Sequence, residues 1–98
     1  MKKMFIVFIL FFSYTAYSQT VFEYYDRALE KQENEDYYGA ISDYTKAIEL
    51  GPDADAYYNR GLAKSNLEDY YGAISDYNKS IELEPDYANA YYNRGWSK

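Results

Sequence analysis

Two pairs of adjacent carboxylates, Glu35-Asp36 and Glu68-Asp69, are the groups in this chain best placed for acid/base chemistry. Paired acids can serve as proton donor and nucleophile in glycoside hydrolysis. Each pair, however, directly precedes the same run, YYGAISDY, and an aspartate there suits the unpaired amides of a starting helix. Capping explains these acids without catalysis. The remaining catalytic vocabulary is missing. The 98 residues include no cysteine and no histidine, which excludes disulfides, thiolate or imidazole metal sites, and cysteine or histidine catalysis. There is no glycine-rich phosphate loop and no Gly-x-Ser-x-Gly elbow. The sequence therefore predicts a non-catalytic protein without metal or cofactor. What it holds in excess is recognition chemistry, with fifteen tyrosines and one tryptophan. A tyrosine offers flat apolar area with a polar tip, and an asparagine amide both donates and accepts hydrogen bonds. Acids outnumber bases 16 to 10, a net charge of −6 that repels nucleic-acid phosphates.

A repeat positions these side chains. Residues 37–50, YYGAISDYTKAIEL, match residues 70–83, YYGAISDYNKSIEL, at twelve of fourteen positions with an offset of 33. AYYNRG occurs at 56–61 and again at 90–95, an offset of 34. The extra residue lies in the second loop, where 86–89 replaces 53–55. Periods of this length mark stacked supersecondary units. Each unit reads as two helices. Tyr57, Gly61 and Lys64 share one helical face, with Tyr58 and Leu62 beside it. Tyr70, Ala73, Ile74, Tyr77, Ser80 and Ile81 recur at the same spacing in the second helix. Asp36 and Asp69 are expected caps, and Pro52 and Pro85 are expected stops. The predicted units are 21–53, 54–87 and a truncated third at 88–98. Ala28, Gly61 and Gly95 fall at one position, where helices should approach closely. Asp43/Lys46 and Asp76/Lys79 read as solvated i, i+3 pairs on the outer face.

This pattern resembles the tetratricopeptide repeat. The middle unit supplies Tyr57, Gly61, Ala73, Tyr77 and Pro85 at that family's positions, and the first supplies Tyr24, Ala28, Ala40, Tyr44, Ala47 and Pro52. Arg60 and Lys64 depart from it, and are expected to lay their stems on apolar surface while their charges reach water. The resemblance implies an all-α fold, a right-handed superhelical solenoid of antiparallel helix pairs over residues 19–98. It also implies a non-catalytic scaffold that binds a partner's peptide or helix in a concave groove. Carried over by position, the groove stripe is Tyr25, Leu29, Tyr58, Asn59, Leu62, Tyr92, Asn93 and Trp96. Tyr24, Tyr57 and Tyr91 are expected to pack between helices instead. One subset of the family grips chaperone C-terminal carboxylates with basic and asparagine side chains. Asn59 falls at one such position, but Tyr25, Leu29, Asn89 and Asn93 occupy the others and none is basic. A neutral or basic partner segment suits this acidic chain better.

The chain opens with Met1-Lys2-Lys3 followed by nine apolar residues, MFIVFILFF. That run is shorter than the about twenty residues needed to span a bilayer, and fits the core of a signal peptide. Small residues at Ala16 and Ser18 place cleavage after Ser18, so the expectation is a signal peptide at 1–18 and export to the periplasm or medium. An uncleaved signal-anchor is the alternative. Cleavage would leave 16 acids against 8 bases. Two and a half units bury little apolar surface, since solenoids need about three. The chain is therefore expected to be a fragment of a longer array, in one version the repeat portion of a larger envelope protein or enzyme. Otherwise it completes itself as a homodimer through Tyr91, Tyr92 and Trp96.

Overall fold

The computed structural model describes residues 20–97. The expected signal segment lies outside the described residues. Five α-helices and no strands make up the described chain: α1 (20–33), α2 (Tyr37–Leu50), α3 (Ala54–Asn66), α4 (Tyr70–Leu83) and α5 (Ala88–Ser97). Each packs on the next, and α3 also touches α5. Helices α3 and α4 run antiparallel. Ser80, near the end of α4, donates to the Ala54 carbonyl at the start of α3 over 2.9 Å. Among the described residues no helix is long and apolar enough to cross a membrane.

The turn inside each pair is built the same way twice. Glu68 takes φ 63° and Glu35 takes φ 62°, the left-handed conformation that ends a helix. Glu68 N–H then donates to the Ser65 carbonyl at 2.9 Å, and Asp69 N–H to the Lys64 carbonyl at 2.9 Å. The equivalent bonds join Glu35 to Gln32 and Asp36 to Lys31. A side chain in this conformation costs about 1 kcal/mol relative to glycine. The return is immediate, because Asp69 also heads α4, its carboxylate accepting from the Gly72 amide at 3.0 Å. Asp36 does the same for Gly39. Glycine suits both positions, since an added Cβ would sit 2.3 Å from the second oxygen, Oδ2, of the capping carboxylate. Capping accounts for the carboxylate pairs, as the sequence predicts. Pro52 and Pro85 follow the last turns of α2 and α4.

The core is made of alanines, two tyrosines and Ile48. Ala28, Ala40 and Tyr44 form one cluster, against which Tyr25 and Leu29 pack. Ala73, Tyr77 and Ala90 form the second, flanked by Tyr58, Leu62, Ile81 and Tyr87. Small residues let the helices come close, and each buried tyrosine fills the gap so left. Both phenols find partners as burial demands. Tyr44 donates to Gln32 at 2.5 Å, and Tyr77 is hydrogen-bonded to Ser65 at the equivalent position. Gly61 is set by this packing, because its Cβ would lie 2.6 Å from the Tyr77 ring. Gly95 is different: among the described residues, nothing apart from its chain neighbours and its own helix backbone lies within 4 Å of its would-be Cβ, so close packing does not account for it here.

Three expectations about charge and packing are corrected. Asp43 and Asp76 do not lie on a solvated outer face; they are buried, at 4% and 2% exposure. Lys46 and Lys79 pair with Glu49 and Glu82 instead. Arg60 and Lys64 do not reach for water. Arg60 grips Asp76 through two bonds of 2.7 and 2.8 Å, and Lys64 adds a third contact at 3.0 Å. These cations turn inward because a buried carboxylate needs charge-assisted partners, and α3 supplies both one turn apart. Tyr24, Tyr57 and Tyr91 are not simple packing residues either. Each lies under an arginine of its own helix, Arg27, Arg60 and Arg94, at 5.1 to 5.5 Å, and Tyr91 is exposed.

Candidate functional site

The first helix of each unit carries the expected stripe, and its members differ in what they leave available. Leu29 and Leu62 pack against the two core clusters. Tyr25 and Tyr58 are half-buried, their rings 5.8 and 5.9 Å from Tyr44 and Tyr77. Their hydroxyls join successive helices: Asn59 Nδ2 donates to Tyr25 at 2.9 Å, and Asn93 Nδ2 donates to Tyr58 at 2.9 Å. The same nitrogens also donate within their own helices, to the carbonyls of Asp55 and Asn89. Both N–H groups of each amide are thus engaged inside the chain, which leaves the amide oxygen as the outward group. Tyr92 and Trp96 are 66% and 75% exposed and form an edge-to-face pair at 6.4 Å.

Burial raises the Tyr58 phenol above its ordinary value. It also raises that of Tyr25, helped by the carboxylates of Asp55 and Asp53. Tyr87 is raised by burial and by its hydrogen bond to Asp55. All three remain neutral hydroxyls at physiological pH, able to donate or accept.

Sequence reasoning missed Tyr87, the extra residue of the second loop. Its ring lies 5.1 Å from Tyr58 and its hydroxyl donates to Asp55 at 2.6 Å. The signal was the one-residue difference in repeat length. Also missed was a cavity of about 300 Å³ where α1, α2 and α3 meet, walled by Phe22, Tyr25, Ala47, Gly51, Asp53 and Asp55. Among the described residues no group of three or more acids is placed to hold a metal ion.

Residues 54–87 match the family described as Tetratricopeptide repeat. Similar solved structures include the TPR2B domain of yeast Sti1 in complex with pHsp70, at 31% identity and a TM-score of 0.78, over 81% of this chain and 64% of that one. The second TPR domain of human RPAP3, in complex with an HSP70 peptide, matches at 27% identity and 0.78, over 83% and 68%. The Arabidopsis OM64 TPR domain shares the fold at 24% identity and 0.78, over 81% and 66%. The chain thus spans about two thirds of the length of these domains. No curated protein matches it. Residues 54–87 thus match one tetratricopeptide repeat, and the described helices share the fold of tetratricopeptide-repeat domains.

Proposed function

We propose that this chain is a non-catalytic scaffold that binds an extended peptide or a helix of a partner protein along the stripe formed by α1, α3 and α5. The observation that carries this reading is the stripe itself. Phenols recur at one helical position, Tyr25, Tyr58 and Tyr92, with amide oxygens at the next in the second and third units, Asn59 and Asn93, and the run ends in an exposed aromatic pair that packing does not explain. Support comes from the similar TPR domains, two of which are in complex with Hsp70 material. The partner here differs in charge. Tyr25, Leu29, Asn89 and Asn93 offer no cation, and the Asn59 amide donors are already engaged. A neutral or basic segment is therefore the expected ligand. The units are read as a right-handed superhelix with the stripe on its concave side.

Trp96 is the chain's sole tryptophan and reports on this surface directly. A random peptide library panned against the full chain should yield non-acidic binders that shift Trp96 emission saturably. Tyr92→Ala should weaken them at least tenfold, about 1.4 kcal/mol. A library without saturable binders, or one dominated by acidic C-termini, overturns the reading.

A second reading is self-association through α5, favoured by the open space over Gly95 beside exposed Tyr92 and Trp96. It predicts a melting temperature that rises with concentration. Export by way of residues 1–18 is proposed on the lysine pair and apolar run, and cell fractionation with N-terminal sequencing tests it.

A further inference from the structure

The two loops that join one helix pair to the next differ by a single residue, and that difference has a structural counterpart. At the second junction the extra residue, Tyr87, lays its ring 5.1 Å from Tyr58 and donates its hydroxyl to Asp55. At the first junction no residue corresponds to it. Tyr25 stands where Tyr58 stands one unit later, Gly51 stands in place of Glu84, and the cavity of about 300 Å³ opens beside them. That volume is at the lower end of ligand sites and large enough for one aromatic side chain. Phe22 forms an apolar wall and is 68% exposed. It replaces Asp55 of the second junction, so the acceptor must come from elsewhere in the lining. Asp53 can supply it. Asp53 heads α3 as Asp36 and Asp69 head α2 and α4, yet its side chain makes no capping bond.

We infer that this cavity is a subsite for a tyrosine side chain of the partner segment. The incoming ring would pack on Tyr25 as Tyr87 packs on Tyr58, and its hydroxyl would donate to Asp53. The chain thus carries a copy of its own ligand contact at the neighbouring junction. The inference rests on the scaffold reading and names one side chain that the scaffold selects.

The test is an amide and methyl NMR titration of the full chain with N-acetyl-tyrosinamide, with N-acetyl-alaninamide as control. Shifts confined to Val21, Ala47, Gly51 and Ala56 with the tyrosine probe alone are expected. A variant with one tyrosine inserted between Asp53 and Ala54 fills the cavity from within and should lose the response while keeping its helical circular dichroism. Asp53→Asn should weaken the probe several-fold, and Tyr87→Gly should create a second responsive set near Ser80 and Ala90. No shift at the cavity, equal shifts with the alanine probe, or a response that survives the insertion overturns the inference. Panned peptides that bind without any enrichment in tyrosine sink the subsite and leave the scaffold standing. A responsive cavity with no peptide binder at all would sink the scaffold alone.

Discussion

Asp43 and Asp76 occupy the same position in two helices that differ at two residues of fourteen, and both are buried. Their surroundings nevertheless diverge. Asp76 receives a two-point grip from Arg60 and an ammonium from Lys64. Arg60 is itself pinned, donating to Thr45 on α2 at 3.1 Å and lying over Tyr57, and its side chain is only 16% exposed. Asp43 has Lys31 at 2.8 Å, but Arg27 reaches it only at 3.7 Å and stays 59% exposed. One buried oxygen of Asp43 has no well-aligned hydrogen bond. The difference is the preceding helix pair. Where a second helix from the unit before covers the arginine, the ion pair is dry and bidentate; at Arg27 no such helix exists among the described residues. Identical sequence gives unequal interactions, because a repeat is completed by its neighbour.

The largest expected effect tests whether both units share one fate. Burial pushes the Tyr77 phenol up to about 12 from an ordinary 10.0, and raises Tyr44 as well. Below pH 10 both folded and unfolded chains keep these protons, so the stabilisation is complete. As pH climbs from 10 to 12 the unfolded chain releases them first, and stability falls. The NMR ring signals of Tyr44 and Tyr77 and the helical circular dichroism should therefore change together in that window. Ionisation of the buried phenols with helix intact would break the picture. Next comes the arginine comparison itself. Arg60→Ala should destabilise by about 3 kcal/mol, since it strips a buried charge. Arg27→Ala should cost less than about 1 kcal/mol, as for exposed pairs. Equal urea midpoints for the two variants would erase the distinction drawn here.

Two smaller contrasts sharpen it. Gly61→Ala drives a methyl into the Tyr77 ring and should cost about 1–3 kcal/mol. Gly95→Ala meets nothing and should stabilise α5 by about 0.5–1 kcal/mol. Thermal melts of the pair should move in opposite directions. Ser80→Ala should also be mild, about 1 kcal/mol for the lost bond to Ala54, because the first unit already carries Ala47 at that position. A larger loss in chemical denaturation would mean that the two units tolerate alanine differently there.

Local chemistry was legible in the residues. The caps at Asp36 and Asp69, the stops at Pro52 and Pro85 and the tyrosine–alanine faces all follow from short-range rules, and the helices begin and end accordingly. The partners of Asp43 and Asp76 were not. On a helix surface every acid has a neighbour three residues away, so Lys46 and Lys79 looked sufficient; the actual partners lie twelve and sixteen residues back, across a turn. The clue was there, because Arg60 and Lys64 break the family pattern at the spacing where Arg27 and Lys31 break it one unit earlier. The spacing put the stripe on the first helix of each unit but took too generous a view of its amides, since one-dimensional spacing does not reveal that Asn59 has already spent its donors on Tyr25 and its own helix. Tyr87 and the cavity depend on how three helices meet, which a single extra loop residue signals without describing.

Asp69 ends one helix with its backbone amide and begins the next with its carboxylate, and Asp36 repeats the arrangement. Two rods that share a hinge pin cannot loosen separately: losing the pin frays the tail of one and the head of the other in the same event. The smallest piece that opens is therefore the whole hairpin, and hydrogen exchange at the close of α3 and the first turn of α4 should proceed at one common rate.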